Sequence, residues 1–236
     1  MFPTKTKQVK KTDPQSRMET IYKEIRNRIC LLQYPPGMAL KEKELADEFG
    51  VSRTPIRGIL QRLEFEGLVS ADYGSNSIVT FVDIKSLKQV YALRLRLAEI
   101  IGELSTNRME ENTITALESL LAAFEGLREH YDPVELSRLY NQFHEEMLRL
   151  IGNQPLRKIS DQLFHQTARV WLQILPELDW GEEVNYICEE ITDVIGALRK
   201  NDLRAMARVR RDHMSMLLHR INDYLGGADV QEAERR

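Results

Sequence analysis

At 236 residues, 42% hydrophobic and 29% charged, the chain has the composition of a soluble globular protein, with room for one large domain or two modest ones. No apolar run approaches the ~18 residues of a membrane span, and MFPTKTKQVKKTDPQ lacks the apolar centre of a secretory signal, so neither a membrane partner nor export is expected. The net charge of −3 is weakly unfavourable for nucleic acid, but it divides unevenly: residues 1–82 are net positive and the remainder is net negative.

Residues 1–16 carry Lys5, Lys7, Lys10 and Lys11 between Pro3 and Pro14 and read as a disordered basic arm. Arg17 to Leu32 reads as a helix, with Ile21, Ile25 and Ile29 spaced at four, and Tyr34-Pro35-Pro36-Gly37 as a turn. Leu45, Ala46 and Phe49 make one face of a short second helix, which Gly50 ends at little steric cost. Ser52 suits the N-cap of a third helix with Pro55 in its first turn. Ile56, Ile59, Leu60 and Leu63 give that helix its buried stripe, and Gly67 closes it. Leu68-Val69-Ser70 and Ser77-Ile78-Val79-Thr80 flank a polar tip and read as a two-stranded ribbon.

Two packed helices, a Gly-containing turn and a ribbon make a winged helix-turn-helix over residues 17–82. Arg53 and Arg57 share the face of the third helix opposite its apolar stripe. Ser52 and Thr54 add hydroxyls at its N-terminus, where free N–H groups favour a phosphate. A guanidinium there can read guanine O6 and N7 bidentately or clamp a phosphate. Lys43 on the second helix and Tyr73 and Gly74 at the wing tip complete the candidate DNA-binding set. Past Val82-Asp83-Ile84-Lys85 strand signals vanish. Six amphipathic helices are expected, about 87–107, 112–130, 133–151, 155–175, 184–200 and 203–225, before a flexible tail at 227–236. Residues 83–226 therefore read as an all-α bundle, making the whole protein mainly α. Cys30 and Cys188 lie in different helices without ligand spacing, as thiols of a reducing compartment do.

The stretch PPGMALKEKELADEFGVSRTPIRGILQRLEFEGLV resembles the DNA-binding head of GntR-type bacterial transcription regulators. It departs at Gly58, where the family commonly has Glu, and in a wing with no basic residue at its tip. In the second half, FHEEMLRLIGNQPL and ALRKNDLRAMARVRRDHM resemble the FCD effector domain of FadR-like members. The resemblance implies a cytoplasmic, nucleoid-associated homodimer that acts as a repressor at a palindromic operator in double-stranded DNA. It also implies control by a small carboxylate effector. The sequence holds no nucleophile elbow, Gly-rich phosphate loop or complete ligand set, so no catalytic residues are expected. The alternative is a DNA-binding dimer with no metal or small-molecule switch.

Many FCD domains hold a divalent metal (Zn, Ni or Mn) through one Asp and three His. Carried across, two of those positions are His144 and His213; Tyr140 and Ile191 stand at the other two, with Asn141, Glu190 and His165 as further donors. Arg94 stands where the family often places an arginine beside the effector; an internal ion pair with Glu99 is the competing reading. The candidate effector set is thus Arg94, Tyr140, Asn141, His144, His165 and His213.

Overall fold

The computed structural model describes residues 14–71, 77–81, 84–104 and 111–234, so most of the expected basic arm lies outside the described residues. Backbone contacts divide the chain into two compact units, residues 1–29 with 34–80, and residues 30–33 with 81–236.

The first unit contains α1 (Pro14–Cys30), β1 (Ala39–Leu40), α2 (Glu42–Phe49), α3 (Arg53–Phe65), β2 (Val69–Ala71) and β3 (Ser77–Val79). Its core joins Ile21, Ile25 and Ile29 of α1 to Leu45 and Ala46 of α2 and to Ile56, Ile59, Leu60 and Leu63 of α3. Gly50 ends α2 in the left-handed conformation (φ 61°, ψ 45°), and its N–H turns back to Ala46 and Asp47. A side chain would be strained there, which is why the turn between the two helices needs glycine. The Arg17 guanidinium donates to the carbonyls of Phe49 and Gly50 (2.9 and 3.0 Å), placing a cation at the negative end of α2. Ser52 occupies the N-cap position of α3, but its hydroxyl makes no capping hydrogen bond.

The expected two-stranded ribbon has a third strand. β1 pairs antiparallel with β3 (Ala39 opposite Ile78), and β2 pairs with the other edge of β3 (Val69 opposite Val79). With two residues, β1 is too short to show alternation in sequence. The turn before it sets it in place: Gly37 takes φ 85° and donates to the Val79 carbonyl at 2.8 Å, and Val79 donates to the Met38 carbonyl.

The second unit contains α4 (Ile84–Leu104), α5 (Glu111–Glu125), α6 (Pro133–Arg149), α7 (Gln154–Ile174), α8 (Trp180–Arg199) and α9 (Leu203–Glu234), with a short 3-10 turn at Leu175–Glu177. Helix α4 packs on α9 and α7, α5 on α8 and α6, and α8 on α9. Side-chain caps set where helices begin. Asp132, Asn153, Asp179 and Asp202 accept from the backbone N–H groups of Glu135, Leu156, Glu182 and Ala205. The Asp179 cap is the reason α8 starts at Trp180, earlier than its apolar spacing suggests. Asn201 takes φ 54° in the tight turn from α8 to α9, a conformation asparagine tolerates. Helix α9 continues through Gly226 and Gly227 to Glu234 rather than ending near Leu225. Two glycines cost about 1 kcal/mol each in a helix, and the following residues include no proline to stop it. The α4–α9 crossing depends on Gly102, where a Cβ would fall 2.9 Å from the Ala207 Cβ and 3.0 Å from the Arg204 Cα.

Candidate DNA-reading face and effector cavity

In the first unit, Lys43, Ser52, Arg53, Thr54 and Arg57 are all exposed. The buried stripe of α3 points inward, so Ser52, Arg53, Thr54 and Arg57 are left on the outer side and at the amino end of that helix, while Lys43 belongs to α2. Arg53 makes no ion pair among the described residues. Arg57 does: its Nε and Nη2 donate to Glu42 Oε1 and Oε2 at 2.7 and 2.9 Å. Hydrogen bonding to Arg57 holds the Glu42 carboxyl below its usual range. Sequence spacing within one helix did not show this pair, because Glu42 lies on α2. The bidentate contact fixes the guanidinium plane, and it also sets a carboxylate against any incoming phosphate. Tyr73 and Gly74 lie outside the described residues.

In the second unit five of the six effector candidates, all but His165, line three small cavities. Arg94 and His144 line one of about 60 Å³, with Leu97, Met147, Ser160 and Arg210. That is room for a few waters or a compact anion. Arg94, Tyr140 and Asn141 line a second of about 20 Å³ with Phe164 and Thr167. Tyr140 and His213 line a third of about 20 Å³, with Glu183, Glu190 and Arg220.

Arg94 makes no ion pair among the described residues. Glu99, its expected alternative partner, engages Arg96 and Arg211 instead. The Arg94 guanidinium donates to the Thr167 hydroxyl and lies over the rings of Tyr91 and Phe164 at 5.0 and 5.5 Å. Desolvation pushes its pKa down, the signature of a cation held away from water without a counterion. By contrast, Arg210 pairs with the buried Glu190, which also accepts from the Tyr140 hydroxyl at 3.3 Å. Burial, then the Glu190 charge, pushes the Tyr140 phenol up to about 12.

His144 stacks on Phe164, with ring centres 3.7 Å apart and planes 9° from parallel. Burial pushes its pKa down to about 3, so it is neutral at pH 7. His213 does not meet it. His213 stands beside Asp193 at 4.0 Å and lines a different cavity, and Ile191 is fully buried in the apolar core. Tyr140, His144, Ile191 and His213 therefore do not fit a metal, and no chemistry is derived through one at those positions. His144 instead meets Asp161 and His165 of α7. The candidate set read from sequence includes His165 but not Asp161, although the two have the i, i+4 spacing that places side chains on one face. Ser160, Thr167 and Arg210 were also missed, and none has a local signature.

Among the described residues no helix is long and apolar enough to cross a membrane. The chain matches the model of bacterial regulatory proteins, gntR family, over residues 17–79, and that of the FCD domain over residues 89–216. It is 29% identical over 143 residues to an uncharacterized HTH-type transcriptional regulator, YdhC, of Bacillus subtilis (strain 168), covering 60% of this chain and 64% of that one. It is 28% identical over 140 residues to the gluconate operon transcriptional repressor of Bacillus licheniformis, covering 59% of this chain and 57% of that one. The matched stretch thus spans under two thirds of the length of these curated relatives. Among solved structures, E. coli McbR/YncC has the same fold, with a TM-score of 0.77 at 18% identity over 89% of this chain and 99% of that one.

Proposed function

Because this chain belongs to the GntR family of bacterial regulatory proteins and carries its FCD domain, we propose that it is a sequence-specific transcriptional repressor that binds a palindromic operator as a homodimer and is controlled by a small organic acid. The families matched and the named relatives are regulators rather than enzymes. On this reading the protein acts in the cytoplasm, beside the nucleoid.

The observation that carries the regulatory half is Arg94, a guanidinium without a carboxylate partner among the described residues, at the wall of a cavity it shares with His144. A carboxylate entering that cavity would supply the missing charge and accept its N–H groups, a pairing that is strong when shielded from water. On the DNA side, Arg53 and Arg57 supply donors suited to base edges or phosphates, and Ser52 and Thr54 stand at the positive end of α3. An effector changes operator affinity only by binding the DNA-competent and incompetent states unequally.

The test is a fluorescence-anisotropy titration of promoter fragments selected by the wild-type protein. Arg53→Ala and Arg57→Ala should each weaken operator binding by about 1–3 kcal/mol and relax base preference. Unchanged binding in both variants refutes the DNA-reading role of this face. An organic-acid panel that neither shifts the melting temperature nor alters DNA binding refutes the effector half.

A further inference from the structure

We propose that the effector domain holds one divalent transition-metal ion, of the zinc class, on His144, Asp161 and His165. This set shares one residue with the ligand positions implied by the family and lies on α6 and α7 instead. It does not depend on the identity of the operator or of the organic acid.

The geometry brings three ligand-bearing side chains to one place. Asp161 Oδ1 lies 3.3 Å from His144 Nε2 and 3.3 Å from His165 Nδ1. A tetrahedral zinc with bonds of about 2.0–2.1 Å separates its ligand atoms by about 3.3–3.4 Å. One ligand atom from each of the three residues falls within 4.8 Å of the others. Among the described residues no other group of three His, Cys, Asp or Glu side chains meets this condition. Two of the ligands are one helical turn apart on α7, and the third faces them from α6.

A second observation points to a missing ligand. His144 is 6% exposed, and its buried Nε2 faces Asp161 Oδ1 at 3.3 Å without a well-directed hydrogen bond. The neighbouring Ser160 Oγ is buried and has no hydrogen-bond partner. Buried polar atoms are normally satisfied, so an unpartnered hydroxyl next to an imidazole nitrogen poorly aligned with its carboxylate marks a place where something binds. The stacking of His144 on Phe164 fixes the imidazole plane. Both His144 and Ser160 border the 60 Å³ cavity, which leaves an open coordination position on that side.

Binding has identifiable costs. His165 Nδ1 lies 2.8 Å from the Asp161 carbonyl. To ligate through Nδ1, the ring must carry its proton on Nε2 and give up that contact. The cation would also share its surroundings with Arg94 and Arg210. Arg210 is already neutralised by Glu190. The site charge of a dication and one carboxylate is +1, so an anion in the fourth position would relieve the repulsion from Arg94.

The test uses the full chain, stripped by chelator dialysis and titrated with Co(II), whose visible absorption reports nitrogen and oxygen ligation. Wild type should bind one saturating equivalent, and Zn(II) should displace it. Asp161→Asn and His165→Gln should each weaken binding by about 10- to 100-fold or more. Circular dichroism checks folding, and the isosteric Asp161→Asn carries the test if His165→Gln fails to fold. His213→Ala should leave Co(II) affinity within about two-fold, since that residue lines another cavity. Absence of saturable binding in the wild type overturns the proposal. So does retention of full affinity in Asp161→Asn, or its loss in His213→Ala.

Discussion

Replacing Arg94 with methionine separates a ligand-binding arginine from a structural one. Methionine keeps much of the side-chain length and its contacts with Tyr91 and Phe164 while removing the charge. In the free protein the substitution gives up the Thr167 hydrogen bond, about 1 kcal/mol, and ring-face contacts of about 0.5–1 kcal/mol. It also removes the cost of holding a guanidinium away from water without a counterion, which is of at least comparable size. The stability of the free variant should therefore stay within about 1 kcal/mol of wild type, or about 2–4 °C in melting temperature for a protein of this size. Ligand response should change far more. A carboxylate–guanidinium contact of about 1.5–3 kcal/mol corresponds to a Kd raised by about 10- to 150-fold. At an acid concentration of 100 times the wild-type Kd, binding stabilises wild type by about 2.7 kcal/mol. A variant weakened about 100-fold retains only about 0.4 kcal/mol at that concentration. Differential scanning fluorimetry across an organic-acid panel reads this as a shift of about 5–10 °C falling to about 1–2 °C. A free variant that melts more than about 8 °C lower, with an undiminished ligand shift, would refute the ligand-binding role and make Arg94 part of the scaffold.

Glu42→Ala frees Arg57 and removes a negative charge from the DNA-facing side; affinity for random-sequence DNA should rise while the ratio of specific to random binding falls, and a rise in that ratio counts against the orienting role of Glu42. Arg53→Ala should reduce the slope of log K against log salt by about one unit if Arg53 meets a phosphate, and leave the slope unchanged while relaxing one base position if it meets a base edge. Gly102→Ala should destabilise the bundle by about 1–3 kcal/mol, because the added methyl meets the backbone of α9; a helix-propensity gain of about 1 kcal/mol opposes this, so a more stable variant would show that the crossing can open. Glu183→Ala removes a buried carboxylate that accepts from Trp171 Nε1 at 3.0 Å and pairs with Arg220 at 2.8 Å; urea unfolding should show a loss of about 3–5 kcal/mol, and a loss under about 1 kcal/mol would mean that water replaces it without cost.

Local order was legible in the residues. The apolar stripe of α3, the glycine that ends α2 and the proline in the first turn of α3 each follow from constraints within a few residues, so the helix-turn-helix could be read from local spacing alone. The six helices of the bundle were legible for the same reason, although their ends were not. A cap such as Asp179 acts through a single hydrogen bond, and apolar periodicity carries no trace of it. Strand β1 escaped because its partner β3 lies far along the chain, and two residues hold no pattern.

Side-chain pairing across helices was decided only by tertiary structure. Whether Arg94 meets Glu99 is a question of which helix faces which: Glu99 points to Arg211 of α9, leaving Arg94 at its cavity without that counterion. His144 and His213 are both present as the family pattern requires, yet they line different cavities, because Tyr140 and the Glu190–Arg210 pair occupy the interior around them. The sequence by itself determined the kind of molecule, since helix, turn and family motif are written in local spacing. Tertiary packing decided which charges are left without partners, because a counterion's distance in space is not encoded in its distance along the chain.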